Sequence, residues 1–336
     1  MNQNALVIFD TDSLYAIRLQ QFMCNVRDNR FKIFVFTNKA DLSDVCRDIR
    51  NLNPVILLVA ESSFCKELAD TGAKHIFILN ETGMKKYPEY PNFNKYQPAN
   101  ILYQQILLEF ADREKEVIPR FYGNKRAKLI GVYTPIRRCM QTSFSMAVSQ
   151  LLGKKGKTLY INFEQYSGFS EMFQKGYLKD LSDLVYFFVY SREKFVYWLE
   201  GVVEHFGYMD YIPPVLTATS IMEVSSKIWN EMLETICTEA GYEYVVLDLS
   251  NSIRGIFNVL DVCNVVYTIT REDIISKAKL RQFEEILKES EYSELREKIR
   301  YLKFPEFSVK NNVFEDIIYK DLYEFTENVL GDDFNE

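Results

Sequence analysis

The chain has 336 residues, 47 % of them apolar, with 25 Phe, 22 Tyr and a formal net charge of −7. That length predicts two domains, the apolar content excludes a disordered chain, and the acidic balance argues against nonspecific nucleic-acid binding except through a local basic patch. Six cysteines without a C-x-x-C pair, against two histidines, read as reduced core thiols of a cytoplasmic protein rather than zinc ligands.

The opening MNQNALVIFD passes straight into a strand-like run, with no basic region or cleavage site, so no signal peptide is expected. No apolar run reaches the ~18 residues needed to cross a bilayer. ALVIF (5–9), FKIFVF (31–36), PVILLVA (54–60) and KHIFILN (74–80) read as buried parallel strands. SLYAIRLQQFMCNV (13–26) and DLSDVCRDIRNL (41–52) read as helices, the second carrying Leu42, Val45, Cys46 and Ile49 at helical spacing. PANILYQQILLEF (98–110) predicts a helix that begins on proline. The stretch GMKKYPEYPNF (83–93) leaves the last strand of this half undefined. This alternation implies a three-layer α/β domain over 1–117. The charge-rich ADREKEVIPRFYGNKRAK (111–128) separates two apolar patterns and places a linker at 118–126.

The alternation resumes over 127–336. AKLIGVY (127–133), KTLYINF (157–163), YEYVVLDLS (242–250) and NVVYTIT (264–270) read as strands of a mostly parallel sheet. SIMEVSSKIWNEMLETICTEAG (220–241) and EDIISKAKLRQFEEILKES (272–290) read as helices, with Ile275, Ala278, Phe283, Ile286 and Leu287 as the apolar stripe of the second. The aromatic-rich 184–215 suits core or dimer-interface packing. In the tail, 316–336, Ile317, Leu322, Phe325, Val329 and Leu330 predict a terminal helix packed on its domain. Its polar face is acidic, so direct insertion into a membrane is not expected.

Residues 131–143, GVYTPIRRCMQTS, have the order that a phosphate loop needs: a strand, a tight turn, then a helix whose first amides face an anion. The pattern G-x-x-x-x-G-K-[ST] falls on Pro135, Met140, Gln141 and Thr142, and only the hydroxyl survives. With KTLYINFEQYSGF (157–169), LSDLVYFF (181–188), GYEYVVLDLS (241–250) and ITREDIISKAKLRQFEEIL (269–287), this stretch resembles the MinD/ParA branch of P-loop ATPases. It is most similar to the TadZ/CpaE-like, pilus-associated members. The resemblance implies two three-layer α/β domains: an N-terminal receiver-like (flavodoxin-like) domain and a C-terminal P-loop NTPase-like domain with a mostly parallel sheet.

That family's loop reads K-G-G-x-G-K-T-[TS]. On this sequence its first lysine falls on Ile136, its paired glycines on Arg137 and Arg138, the variable position on Cys139 and its third glycine on Met140. The phosphate lysine falls on Gln141, and the hydroxyl pair stays as Thr142 and Ser143. The loop is therefore degenerate. Arg, Arg and Met bring bulk where glycines let backbone approach phosphate. Replacing the charged contact by a Gln141 amide costs roughly 1.5–3 kcal/mol. Arg137 or Arg138 supplies replacement charge, or both are merely solvated. Asp248 matches the magnesium-associated acid, with Thr142 as its partner, or else it caps a turn. Asn162 takes the place of an expected Asp near the switch-like Glu164, itself a substitute carboxylate or a solvated loop acid.

In the front domain Asp10 and Asp12 match the acidic pair of a receiver, and Lys95 its conserved lysine. Ala60, with Glu61 next, falls where the phosphoacceptor Asp belongs, which implies a pseudo-receiver used for docking or dimerisation; the alternative is a spacer whose two acids cap a helix. ATP or ADP with Mg2+, weakly bound, and a homodimer follow from the resemblance. So does a cytoplasmic scaffolding role, with recruitment to the cell pole or inner membrane by pilus or secretion proteins and weak or absent ATP hydrolysis. The alternatives are a slow but genuine ATPase and a ParA-like partitioning protein. No structural metal is expected.

Overall fold

The computed structural model describes residues 4–26, 29, 31–38, 42–114, 126–137, 139–217, 219–289, 292, 294–304 and 322–334. Two compact units divide the chain, Met1–Lys115 and Glu116–Glu336. Of the expected linker 118–126, only Arg126 lies within the described residues.

The first unit runs β1 (Asn4–Phe9), α1 (Ser13–Asn25), β2 (Phe31–Phe36), α2 (Leu42–Leu52), β3 (Ile56–Ala60), α3 (Lys66–Ala69), β4 (His75–Asn80), β5 (Asn92–Asn94) and α4 (Ala99–Arg113). Its sheet has the order β2-β1-β3-β4-β5, with every pair parallel, which is the flavodoxin-like arrangement. The β3 residues Ile56–Ala60 are buried throughout, the expected result for a parallel strand covered on both faces. The last strand, undefined in the sequence, is the three residues Asn92–Asn94 beside β4. Pro98 caps α4 rather than forming its first turn. The C-terminal ends of β1, β3, β4 and β5 lead into Asp10, Glu61, Glu81 and Lys95, along one edge of the sheet.

The second unit begins with β6 (Lys128–Val132), α5 (Gln141–Lys155), β7 (Thr158–Asn162), α6 (Phe169–Met172), α7 (Leu181–Tyr190), α8 (Phe195–Val202), β8 (Glu204–Phe206) and β9 (Met209–Ile212). It continues with α9 (Thr219–Met222), α10 (Ser226–Glu239), β10 (Tyr244–Asp248), α11 (Ile256–Asp261), β11 (Val265–Thr270), α12 (Ile274–Glu289), α13 (Leu295–Lys298), β12 (Ile299–Lys303) and α14 (Tyr323–Phe334). The sheet order is β12-β11-β6-β10-β7-β9-β8, parallel except for the β8–β9 hairpin. Together the units give an α/β protein with mostly parallel sheets.

Two helix expectations need correction. The 220–241 segment is two helices, because Ser225 leaves the helical conformation and its Oγ accepts from the Ile228 amide at 3.4 Å, capping α10. In α12 the i, i+3, i+7 spacing of Leu280, Phe283 and Leu287 fixes the buried face. Ile275 (68 % exposed) and Ile286 (44 %) fall on its flanks. The tail helix does pack on its unit: Leu322 and Leu330 join the core beneath α5, and the Tyr267 hydroxyl donates to Asp333 Oδ2 at 2.7 Å. Residues 316–321 lie outside the described residues.

Candidate functional site

Between β6 and α5 the chain bends at residues 135–136 and again at 139–140. Arg137 (φ +61) and Met140 (φ +60) both take the left-handed backbone region, which costs an L residue roughly 1–2 kcal/mol. They are two of the positions that the family pattern fills with glycine; Arg138, the third, lies outside the described residues. The backbone holds a glycine conformation where the sequence has none. Met140, the residue at the start of α5, makes no side-chain cap bond to the helix, and helix N-termini leave backbone amides without intrahelical partners.

Next to this turn is a cleft of about 350 Å3, lined by Thr134, Arg137, Thr142, Ser143, Glu164 and Asn251 among others. Pro135 is half-buried, Ile136 is a core residue and Arg137 is exposed. Ile136 therefore reaches nothing outside its own fold. Burial pushes the Cys139 thiol up to about 11, which leaves it an inert core group.

Gln141, read as a weak phosphate donor, instead faces inward. Its Nε2 donates to Asp248 Oδ1 at 2.6 Å and to the Leu249 carbonyl at 2.8 Å, and its Oε1 accepts from the Thr134 amide at 3.1 Å. The other carboxylate oxygen, Asp248 Oδ2, accepts from the Tyr160 hydroxyl at 2.9 Å and from Asn162 Nδ2 at 3.0 Å. Asn162 also donates to the Tyr160 oxygen at 2.9 Å, and its Oδ1 accepts from the Glu164 amide at 2.9 Å. Strand register explains the meeting, since Asp248 on β10 pairs directly with Asn162 on β7. Tyr160, two residues earlier, shares a face with Asn162.

Asp248 is wholly buried. Burial raises its pKa, and hydrogen bonds from Gln141, Thr142, Tyr160 and Ser145 work against that rise. All four are neutral groups. Tyr160 was not among the residues singled out from sequence; the available signal was a hydroxylated ring in phase with Asn162 along an apolar strand.

Glu164 lies at the cleft. Burial, and then the charge of Asp248, push its pKa up to about 7, with the Arg137 guanidinium opposing them. It is thus a carboxyl that titrates near neutrality. Tyr166, on the same rim, is 84 % exposed.

In the first unit Lys95 Nζ sits 2.8 Å from Asp10 Oδ2 and 2.8 Å from Glu81 Oε1. Asp10 and Lys95 are each 1 % exposed. Burial disfavours the Lys95 charge, but its hydrogen bonds to Asp10 and Glu81 outweigh this and hold its pKa up at about 12. Asp12 does not join them. It is exposed and caps α1, accepting from the Tyr15 amide at 3.1 Å, so the two acids of the expected pair have different tasks. Glu61, beside Ala60, is buried and accepts from the Thr82 hydroxyl at 3.0 Å.

No protein-family model matches the sequence, and no curated protein matches it. Among solved structures the chain is similar to a plasmid partition protein from Borrelia burgdorferi bound to AMPPNP, at 16 % identity and a TM-score of 0.45, covering 61 % of this chain and 97 % of that one. It is similar to a ParA family ATPase from Chlorobium tepidum, at 16 % identity and 0.44, covering 57 % and 81 %. The MinC:MinD cell division complex of Aquifex aeolicus matches at 14 % and 0.41, covering 58 % and 78 %. Likeness at this level assigns no residue and no activity.

Proposed function

We propose that this chain is an ATPase-fold scaffolding and positioning protein of the TadZ/CpaE type, serving pilus or secretion assembly, in which phosphoryl transfer is disabled. The observation that carries this reading is the inward turn of Gln141 onto Asp248 at 2.6 Å. Phosphoryl transfer depends on positioned charge at the phosphates and on a group that orients the attacking water. Here the helix start offers an amide already engaged elsewhere, and Asn162 spends its own amide on Asp248. The cleft keeps the Thr142 and Ser143 hydroxyls and Arg137, which suits weak binding of ATP or ADP without turnover.

In this reading residues 1–117 form a pseudo-receiver that docks a partner or a second copy, and 127–336 form the ATPase-like domain. The Asp10–Lys95–Glu81 cluster supports a pocket that carries its own cation and needs no phosphorylation. A homodimer, if formed, does not require nucleotide, because Ile136 stands where the family's lysine reaches across to the partner. Among the described residues no helix is long and apolar enough to cross a membrane, and recruitment to a pole or inner membrane would come through protein partners.

A slow ATPase is the second reading, favoured by Glu164, whose near-neutral pKa suits a general base. Phosphate release from ATP with magnesium, compared with that of Glu164→Gln, decides between them. The scaffold reading expects both to remain at background; turnover that Glu164→Gln abolishes establishes the enzyme.

A further inference from the structure

The magnesium ion that the family resemblance implies does not fit the residues around Asp248. Magnesium asks for anionic or carbonyl oxygens in octahedral array at about 2.0–2.1 Å, with room for its waters. Asp248 is 0 % exposed and does not line the cleft; Gln141 and Thr142, which do, bond to it. Both of its oxygens already accept from N–H or O–H groups, at 2.6 Å from Gln141, 2.9 Å from Tyr160 and 3.0 Å from Asn162. A cation brought there would meet the positive ends of those donors. We propose that Gln141, Tyr160 and Asn162 together stand in place of a divalent cation at Asp248, so that the cleft takes up phosphate esters with no metal ion. This rests on the phosphate-binding reading of the cleft given above.

Gln141 is not free to swing aside. Three hydrogen bonds hold its amide, including those to the Leu249 carbonyl and from the Thr134 amide. Moving the side chain would break all three and strand a buried carboxylate. On β7 the register partner of Asp248 is the neutral amide of Asn162, and the nearby acid Glu164 is itself pushed toward its neutral form by burial and by the charge of Asp248. Among the described residues no group of three or more His, Cys, Asp or Glu side chains could hold a metal. What remains for a phosphate is chemistry that needs no metal: the Arg137 guanidinium, the Ser143 hydroxyl and the free first-turn amides of α5. The lock also fastens the start of α5 to β10 and the residue after it.

The test uses manganese as a spectroscopic probe of the full chain, read by electron paramagnetic resonance. The wild-type protein is expected to bind no manganese that Asp248→Asn removes. The double variant Gln141→Ala/Asn162→Asp, which frees Oδ1 and adds a second carboxylate, is expected to gain a site. Manganese held by the wild type and lost in Asp248→Asn overturns the proposal. Calorimetry with ADP supplies an arm that needs no variant: affinity in EDTA and in magnesium should agree within about twofold, whereas a gain of about tenfold with magnesium, or ~1.4 kcal/mol, overturns it. Absence of ADP binding in both buffers overturns phosphate uptake, and with it the nucleotide part of the proposed function. The manganese result then reports separately whether Asp248 is closed to cations.

Discussion

Arg137 carries a left-handed backbone under an exposed side chain, so it bears conformational strain without the packing that would offset it. Glycine adopts this region freely, at the cost of a floppier unfolded chain. Arg137→Gly is therefore expected to stabilise the protein by up to about 1 kcal/mol, visible as a raised melting temperature. Met140 shares the conformation but packs against the core, and Met140→Gly should show no such gain. Glu164 responds to the same substitution, since Arg137 is the charge that opposes its raised pKa. A carboxyl whose folded pKa is raised stabilises most below its unfolded value and loses that contribution as pH rises through the folded value. For Glu164 the window runs from the ordinary 4.5 up to about 7. Stability should fall across it, and phosphate binding should weaken as the acid ionises beside the cleft. Glu164→Gln should flatten both profiles, measured by thermal melts and by ADP calorimetry from about pH 4 to about pH 8, a range that brackets both values.

At the scale of elements, α5 is the piece that positions the site, and its far end explains why it cannot shift. Gln150 donates to the Phe206 carbonyl and accepts from the Tyr208 amide, both at 2.8 Å, latching the helix to the β8–β9 turn. Gly153 lies against that turn so closely that an added Cβ would stand 2.1 Å from the Tyr208 carbonyl oxygen. In a free helix Gly→Ala gains about 1 kcal/mol. Here Gly153→Ala should instead cost roughly 1–3 kcal/mol, because backbone rather than a flexible side chain must move. A denaturant melt gives the sign, and a gain would mean the latch is loose. The sequence made this strand–turn–helix legible through β-rich runs bounded by turn residues, and residues 31–36 and 244–248 fall as strands within the predicted runs. It could not reveal the orientation of Gln141, which depends on the Asp248–Asn162 register across three segments. The α12 face was misread for a local reason: Ile275 and Ile286 are as apolar as Leu280, and only packing separates them.

At the scale of the whole molecule, each of the two units has its own polar centre, and the two centres are stabilised in opposite ways. Around Asp248 every named donor is neutral; around Asp10 and Glu81 the Lys95 ammonium donates alongside backbone amides. Removing one partner of a buried charge cluster costs about 3–5 kcal/mol, because the remaining charges are left unpaired in a poorly solvating interior. Lys95→Met should therefore unfold or loosen Met1–Lys115 selectively, since compactness divides the chain at that boundary. Hydrogen exchange on the full chain tests this: faster uptake is expected in peptides from β1, β3, β4 and β5, with β6, β7 and β10 unchanged. The pH limits follow from the same cluster. The raised Lys95 pKa gives stability that is complete below 10.5 and lost as pH rises through about 12. Burial works against the Glu81 charge, but its bonds from Lys95 and from the Ser62 amide prevail and lower its pKa. Its contribution is thus present above the ordinary carboxylate value and lost as pH falls below it. The front unit should accordingly be the first to exchange in acid, and Lys95→Met should erase its own limit in strong alkali. If β6, β7 and β10 lose protection in step with β1 and β3, the two units unfold as one cooperative body and the selective effect is refuted.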